Sequence, residues 1–303
     1  MKVTAELFDK YEAALAKQIG AEEGVLDISG SASLKGPLSL SRLSVSGSLM
    51  VESSVTAAQL EVSGSIGIGG DLKADTASIS GSLSIGGDTT VTSLEVSGSI
   101  DVKGDLRAEI VSVSGSLDVK GDIDASSCEV SGALSAGGNL KAEFLEVSGM
   151  CSARGIVRAT KAEVYGKLSA YKVEGEEWGV KGGLSIKSDV EVDRLEVLLA
   201  SWSSIGGVIR GREVVIREYK SEIVPGILRR ILSIVLKVPP LKVYGLRCKG
   251  IEAEEVDIER VACDYIRGKR VKIGKGCVVK DKVVYTESLE VDPSAQVKEV
   301  VKE

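Results

Sequence analysis

The chain has 303 residues, of which 43% are hydrophobic but only 4% aromatic, with 35 glycines, 5 prolines and no histidine. A sequence without histidine excludes Ser-His-Asp and Cys-His triads, an imidazole general base and most zinc sites. The 38 basic and 44 acidic residues give a net charge of −6 and are interspersed, so the sequence predicts no broad basic surface for nucleic acid.

The cysteine pattern and the N-terminus indicate an intracellular protein. The five cysteines show no CxxC spacing, which favours free thiols that act as small core residues in a reducing compartment. The N-terminus lacks the uninterrupted apolar stretch of a signal peptide. The longest apolar run, residues 231–238, contains Ser233 and Lys237 and is too short to span a bilayer. We therefore expect a cytoplasmic location.

The first predicted element is an amphipathic helix within residues 1–24. Residues 4–19 place Leu7, Phe8 and Tyr11 on one helical face, and Thr4 is a candidate N-cap. We interpret this helix as a cap that packs on the structure that follows. Docking to a partner is the alternative interpretation.

A repeat of about 17 residues follows and dominates the chain. Apolar residues recur two and four positions before a repeated glycine, and two, four, eight and ten positions after it. Around Gly64 these residues are Leu60, Val62, Ile66, Ile68, Leu72 and Ala74. The repeated glycines, which we predict to lie at the corners of the fold, are Gly30, Gly47, Gly64, Gly81, Gly98, Gly115, Gly132, Gly149 and Gly166.

The repeat predicts a stack of short strands. Apolar residues alternate with a period of two, which is typical of strands and not of helices. Because the repeat has an odd number of residues, the alternation must reset at a corner, where glycine supplies both sharp backbone angles and the lack of a Cβ. A single turn cannot offset its conformational entropy, so turns must stack on one another. We therefore predict an all-β fold, a single-stranded triangular β-solenoid with about 17 residues per turn, over residues 25–216. We expect it to be right-handed.

The solenoid pattern is interrupted once and then resumes with a different step. Residues 217–240 are predicted to be an amphipathic helical insertion, with its helix at 225–238, between Pro225 and Pro239. We interpret the insertion as a lid on the solenoid, and a membrane-surface helix is the alternative. Its candidate membrane contacts are Ile227, Leu228, Arg229, Arg230, Ile231 and Leu232. From 241 to 303, apolar pairs recur in steps of five and then six positions, which predicts a C-terminal solenoid segment of changing cross-section.

When the repeats stack, equivalent polar residues of successive turns are predicted to align in two columns. Ser-Gly-Ser corners offer a hydroxyl array for a periodic partner such as ice or a polysaccharide, and a column from Asp71 to Asp122 offers cation ligands. We interpret both columns as turn residues. Residues 273–279 are similar to the hexapeptide repeat of β-helix acyltransferases, which leaves such an enzyme as a further alternative. Because that family commonly uses a histidine base, we predict no enzyme, no catalytic or metal site and no cofactor.

Three groups of residues carry a resemblance to a known family. They are the Val-Ser-Gly-Ser units between 26 and 170, the Ser-Ser-Ile-Gly-Gly segment at 203–207, and the C-terminal stretches at 251–256, 266–274 and 287–291. Together they resemble a longer variant of the bactofilins, which are polymer-forming cytoskeletal proteins. The resemblance implies filaments built by end-to-end association of β-helices without nucleotide, often near the membrane, which act as scaffolds.

The ends of a solenoid present unpaired strand edges, so they must be capped or must associate with another chain. With the resemblance, this predicts a cytoskeletal scaffold whose partners are other copies of itself and unidentified scaffolded proteins, with a membrane surface as a further possibility and no nucleic acid. The alternative is a binding module, either a dimer or a membrane-surface scaffold, that uses a flat β face. The candidate self-association residues are Leu7, Phe8, Tyr11, Leu289 and Val291.

Overall fold

The computed structural model describes residues 24–219 and 245–303. They divide into two compact units, one of residues 24–162 and 168–171, and the other of residues 163–167, 172–219 and 245–303. Both units consist of parallel strands, which confirms the predicted all-β solenoid. The helices predicted at 4–19 and 225–238 lie outside the described residues.

Short strands make up both units. In the first unit they are β1 (Val25–Ile28), β2 (Ser31–Leu34), β3 (Leu38–Val45), β4 (Ser48–Val51), β5 (Val55–Val62), β6 (Ser65–Ile68), β7 (Leu72–Ile79), β8 (Ser82–Ile85), β9 (Thr89–Val96), β10 (Ser99–Val102), β11 (Leu106–Val113), β12 (Ser116–Val119), β13 (Ile123–Val130), β14 (Ala133–Ala136), β15 (Leu140–Val147) and β16 (Met150–Ala153). The division between the units falls within β17 (Ile156–Val164) and β18 (Lys167–Ala170). The second unit continues with β19 (Lys172–Ile186), β20 (Val190–Leu199), β21 (Ser203–Ile205), β22 (Val208–Glu218), β23 (Leu246–Arg247), β24 (Gly250–Ile258), β25 (Val261–Cys263), β26 (Tyr265–Ile273), β27 (Val278–Val291) and β28 (Gln296–Lys302).

Each turn of the first unit has a four-residue strand followed by an eight-residue strand. Asp75 and Thr76, in the middle of β7, are both exposed, so the alternation resets there. The reset therefore lies at a corner without glycine, which corrects our expectation that it lies at a glycine corner. Each turn therefore has three inward pairs, as the sequence predicts. In this turn they are Ile66 and Ile68, Leu72 and Ala74, and Ala77 and Ile79. Equivalent residues of consecutive turns pair with one another, as in Leu43, Leu60 and Ala77, so each column of inward residues forms a continuous aliphatic core.

The corner glycines are needed for space and not for an unusual backbone angle. Among the glycines of the described residues only Gly175 and Gly276 have positive φ, so the part of our expectation that invoked special angles is wrong. A Cβ on Gly64 or Gly98 would instead overlap the carbonyl oxygen of the corner glycine one turn earlier. The same overlap recurs from Gly47 to Gly149. Close approach of backbones therefore explains why glycine recurs once in every turn.

The aspartate column is a ladder of hydrogen bonds between turns. The Oδ1 atom of Asp71 accepts a hydrogen bond from the backbone N–H of Asp88 at 2.9 Å, and Asp88 accepts one from Asp105 at 2.8 Å. The ladder continues through Asp122 to Asn139. Each Oδ1 also fills the space where a Cβ of the next turn's second glycine would lie. These carboxylates therefore act as turn residues that satisfy backbone donors.

One inward position of the first unit carries a hydroxyl. Thr89 is 1% exposed, and its Oγ1 has no hydrogen-bond partner in the part of the chain that the structure describes. The residues in register with it are Leu72 and Leu106, which offer no acceptor from their side chains. Burial of an unsatisfied hydroxyl costs about 1–3 kcal/mol. Thr89 is therefore a weak point in an otherwise aliphatic column.

We expect Thr89→Val to stabilise the protein by about 1 kcal/mol, because valine has the shape of threonine and removes the unsatisfied oxygen. Urea unfolding followed by circular dichroism measures the change. Thr90→Val is the matched control, since Thr90 is exposed and its hydroxyl is solvated. An equal gain in both variants would attribute the effect to strand propensity and contradict our explanation.

The second unit keeps parallel stacking while the turn length changes. Val173 pairs with Val190, so this part of the turn keeps the spacing of the regular repeat. Ser185 pairs with Ser204, and this spacing is two residues longer than the regular repeat. The register of β24 with β26 is shorter than the regular repeat, as in the pairing of Ile251 with Ile266. The register of β26 with β27 lengthens by one position across an irregularity between Gly268 and Arg270.

The shorter register of β24 with β26 is followed by the longer register of β26 with β27. This order agrees with the C-terminal sequence, in which apolar pairs recur first in steps of five positions and then in steps of six. The changing cross-section predicted for this segment thus has its counterpart in the register. Because β22 pairs with β24 across the undescribed residues 220–244, the stack continues on both sides of them.

Candidate functional site at the C-terminal turn

The last described turn exposes an apolar surface, which we call the end layer and define as Leu289, Val291, Val297 and Val300. Leu289 and Val291 end β27, and Val297 and Val300 lie in β28. Val291 is 42% exposed and Val300 48% exposed, while Leu289 and Val297 are half-buried. Small apolar residues thus remain accessible at inward positions of a solenoid turn.

The same inward positions are buried one turn earlier. Val291 is in register with Ile273, which is 1% exposed, and Val300 is in register with Val283, which is fully buried. Within each pair the earlier residue is buried because the last turn covers it, and the later residue is exposed because no described turn covers it. A layer of protein on top of Val291 and Val300 would therefore bury them as it buries Ile273 and Val283.

The strand edge beside the end layer is open. In the described ranges, the register pairs β28 with β27 alone, so its outer N–H and C=O groups have no strand partner. Charged side chains surround the apolar residues: Arg267 bonds Glu303 at 2.9 Å, and Arg270 bonds Glu287 at 2.7 Å. An apolar centre, a charged rim and an open edge are the features of a surface that accepts another β layer.

A second cluster of charged residues crosses several turns of the second unit. Arg210 contacts Asp189 at 3.1 Å, Glu191 at 3.2 Å and Glu252 at 3.1 Å. The hydroxyl of Tyr265 donates a hydrogen bond to Glu252 at 2.6 Å. These residues lie on successive turns, so the network ties the turns together, and we interpret it as structural.

Hydrogen bonds shift the pKa values in this network. The backbone N–H of Val208, and then Arg210, lower the pKa of Asp189 below its ordinary 3.8. The Tyr265 hydroxyl, and then Arg210, lower the pKa of Glu252 below its ordinary 4.5. The same bond to Glu252 raises the pKa of Tyr265 to about 12. Each shift favours the protonation state found near neutral pH.

We expect Arg210→Met to destabilise the protein by about 1–2 kcal/mol at pH 7, a modest value because the cluster is partly exposed to solvent. Asp189 and Glu252 have lower pKa values in the folded chain than in the unfolded one, so the stability they supply is present above their ordinary values of 3.8 and 4.5 and is lost as the pH falls below these values through the lower folded ones. The difference between wild type and variant should therefore shrink in acid. Urea unfolding at pH 7 and pH 3 measures it.

Arg212→Met is the control, because Arg212 forms a highly exposed ion pair with Asp193, at 2.8 Å. We expect a change of less than about 0.5 kcal/mol for this control. A pH-independent loss in Arg210→Met would indicate that packing, and not charge, explains its effect.

The cysteines are inert core residues. All five are free and buried, and desolvation raises the pKa of Cys128 to about 12 and that of Cys277 to about 11. Among residues 24–219 and 245–303, no three side chains of the metal-binding types form a group that could hold an ion. A helix that could span a bilayer is likewise absent from these two ranges.

The structure brings two predicted self-association residues together and leaves the others undescribed. Leu289 and Val291 lie in the end layer. Leu7, Phe8, Tyr11 and the membrane contacts predicted at 227–232 lie outside the described residues. Sequence reasoning missed Val297 and Val300, although the alternation in Gln296–Lys302 is a signal for a final strand. It also missed the charge network around Arg210, whose members are far apart in sequence.

Comparison of the chain with protein-family models, with curated proteins and with solved structures finds no match.

Proposed function

We propose that this chain is a structural scaffold protein that self-associates end to end through the end layer, without nucleotide. The β-solenoid fold is consistent with a repeat-based structural scaffold. The observation that carries the proposal is the exposure of Val291 and Val300, because their counterparts one turn earlier are buried. The resemblance to the bactofilins supports the same function and suggests a cytoplasmic filament.

Association extends the strand stack in this proposal. The outer edge of β28 supplies backbone groups for hydrogen bonds to the other copy, and the end-layer side chains pack against its terminal turn. The chain acts as a structural element and not as an enzyme. The triangular cross-section and the right hand of the coil stay predictions.

Electron microscopy and sedimentation velocity of the purified protein, across salt and protein concentration, test the proposal. We expect filaments or end-to-end oligomers whose length grows with concentration. Monodisperse monomers under every condition would overturn self-association. Oligomers that contact one another along their sides, with free ends, would overturn the end layer as the site.

A further inference from the structure

A groove on the second unit combines an exposed tryptophan with serine hydroxyls and two cations. Its volume is about 950 Å³, and Trp202, which lines it, is 68% exposed. Lys167 and Arg247 also line the groove, and among its described lining residues there is no aspartate or glutamate. Four serines contribute hydroxyls to the lining: Ser185, Ser201, Ser203 and Ser204. The groove thus offers hydrogen-bond donors and an aromatic surface without a negative side chain.

The groove lies where one turn is longer than the regular repeat. Gly182 pairs with Leu199 at the regular spacing, whereas Ser185 pairs with Ser204 at a spacing two residues longer. Two extra residues therefore lie between Leu199 and Ser204, and Trp202 belongs to this longer segment. The groove is a local departure from the repeat and not a feature of every turn.

Contacts on two sides hold this longer segment in place. The Ser203 hydroxyl accepts a hydrogen bond from the Leu184 N–H at 3.2 Å, and the Ser203 N–H donates one to the Gly245 oxygen at 3.1 Å. A Cβ on Gly245 would lie 3.2 Å from a ring carbon of Trp202, so the indole packs against this backbone. An aromatic side chain that is already held in place loses little freedom when a ligand binds.

The two cations are separated along the stack of turns. The Gly183 N–H donates a hydrogen bond to the Gly166 oxygen at 3.0 Å, which places the next residue, Lys167, beside Gly183 on the turn before. Arg247 lies two turns beyond Ser185 in the other direction. The backbones of Lys167 and Arg247 are therefore three turns apart, or about 14 Å along the stack. Neither cation forms an ion pair with a described residue.

We propose that this groove binds an acidic oligosaccharide, of the class built from uronic acids. The faces of sugar rings carry C–H groups that pack on an exposed indole, so Trp202 is the platform for one sugar. The serine hydroxyls exchange hydrogen bonds with the sugar hydroxyls. Arg247 binds one carboxylate through two parallel hydrogen bonds, and Lys167 binds a second carboxylate further along the ligand.

The separation of the cations favours this ligand over other anions. A phosphate group or a mononucleotide has its charge in one place, so it contacts both cations only if both side chains fold over the groove. A nucleic acid strand carries a phosphate on every nucleotide and would place some of them over the serines between the cations. A neutral oligosaccharide would leave both cations without a partner. Carboxylates spaced along a sugar chain match two separated cations and the aromatic ring between them.

Isothermal titration calorimetry of the full chain tests the proposal with three probes: hexasaccharides of galacturonate, of mannuronate and of hyaluronan. We expect at least one of them to bind. Its methyl ester, which keeps the sugars and removes the charges, should bind at least tenfold more weakly. Added salt should weaken binding of the acid but not of the ester. Failure of all three acids to bind would overturn the proposal, and so would equal binding of acid and ester.

Substitutions locate the site. Trp202→Ala should weaken binding of the acidic hexasaccharide about tenfold, whereas Trp202→Phe keeps an aromatic face and should stay within about threefold of wild type. Arg247→Gln should also weaken binding about tenfold. The matched controls are Tyr171→Ala and Lys73→Gln, which remove an exposed aromatic ring and an exposed cation from the first unit and should leave binding unchanged. Equal losses in the controls and in the groove variants would contradict the site.

Intrinsic fluorescence supplies a second readout. The chain has two tryptophans, and Trp178 is 3% exposed, so a blue shift on addition of the hexasaccharide reports exclusion of water from Trp202. Binding without a spectral change would place the ligand elsewhere and refute the proposal. Tighter binding of hexauridylate RNA than of any acidic hexasaccharide would assign the groove to nucleic acid instead. Because none of these substitutions changes the end layer, sedimentation velocity of the same variants reports self-association separately.

Discussion

Gly98→Ala should lower the free energy of unfolding by about 3–5 kcal/mol, a large effect for one added methyl group. A Cβ at this corner would overlap the carbonyl oxygen of Gly81 and press on that of Ser80. Both atoms belong to backbone whose position is fixed by hydrogen bonds between turns, such as that from the Ser99 N–H to the Gly81 oxygen at 2.9 Å. The two turns must therefore separate at the corner.

Gly36→Ala is the matched control, because a Cβ there meets nothing within 4 Å. We expect this change to be neutral or to stabilise slightly, since alanine reduces the entropy of the unfolded chain. Thermal and urea unfolding of both variants measure the contrast. Equal effects at Gly36 and Gly98 would show that intrinsic strand propensity, and not backbone contact, sets the cost.

Replacement of both exposed valines of the end layer by lysine should abolish assembly while leaving the fold intact. Burial of one valine side chain contributes about 1.5–3 kcal/mol, so Val291→Lys with Val300→Lys should raise the concentration needed for assembly by about three orders of magnitude. Because both valines are exposed in the single chain, its melting temperature should stay within a few degrees of wild type.

Sedimentation velocity and electron microscopy measure the loss. Ile110→Lys is the control, since Ile110 is also an exposed apolar residue but lies in β11 of the first unit, away from the C-terminal turn. Assembly should be unchanged in this control. Continued assembly of the double variant at the wild-type concentration would exclude the end layer as the contact. Loss of assembly in both the double variant and the Ile110→Lys control would show that an added lysine prevents assembly wherever it lies, which would also contradict a specific role of the end layer.

The regular part of the fold could be predicted because one pattern is repeated many times. A single apolar pair such as Ile66 and Ile68 is ambiguous, but its recurrence in every turn fixes both the strand and the turn. The sequence predicted where the corner glycines lie but not the physical reason for them. Their spacing indicates a corner, whereas the contact with the carbonyl oxygen of the preceding turn depends on how closely the backbones stack.

The sites were harder to predict because they depend on departures from the repeat. Leu289 and Val291 continue the inward pattern, so the sequence places them in the terminal turn. The register changes between Val279 and Lys282, which conceals the place of Val297 and Val300.

The constant register of the first unit also bears on how such a chain could change in length. Its aspartate ladder, corner contacts and aliphatic columns all join equivalent positions of neighbouring turns. An internal duplication of one whole repeat would insert a turn that matches the turns on both sides of it. A duplication longer or shorter by a single codon would place glycine against serine and reverse the faces of every later strand. Unequal recombination between repeats can therefore lengthen or shorten this unit by whole turns without a new fold having to evolve.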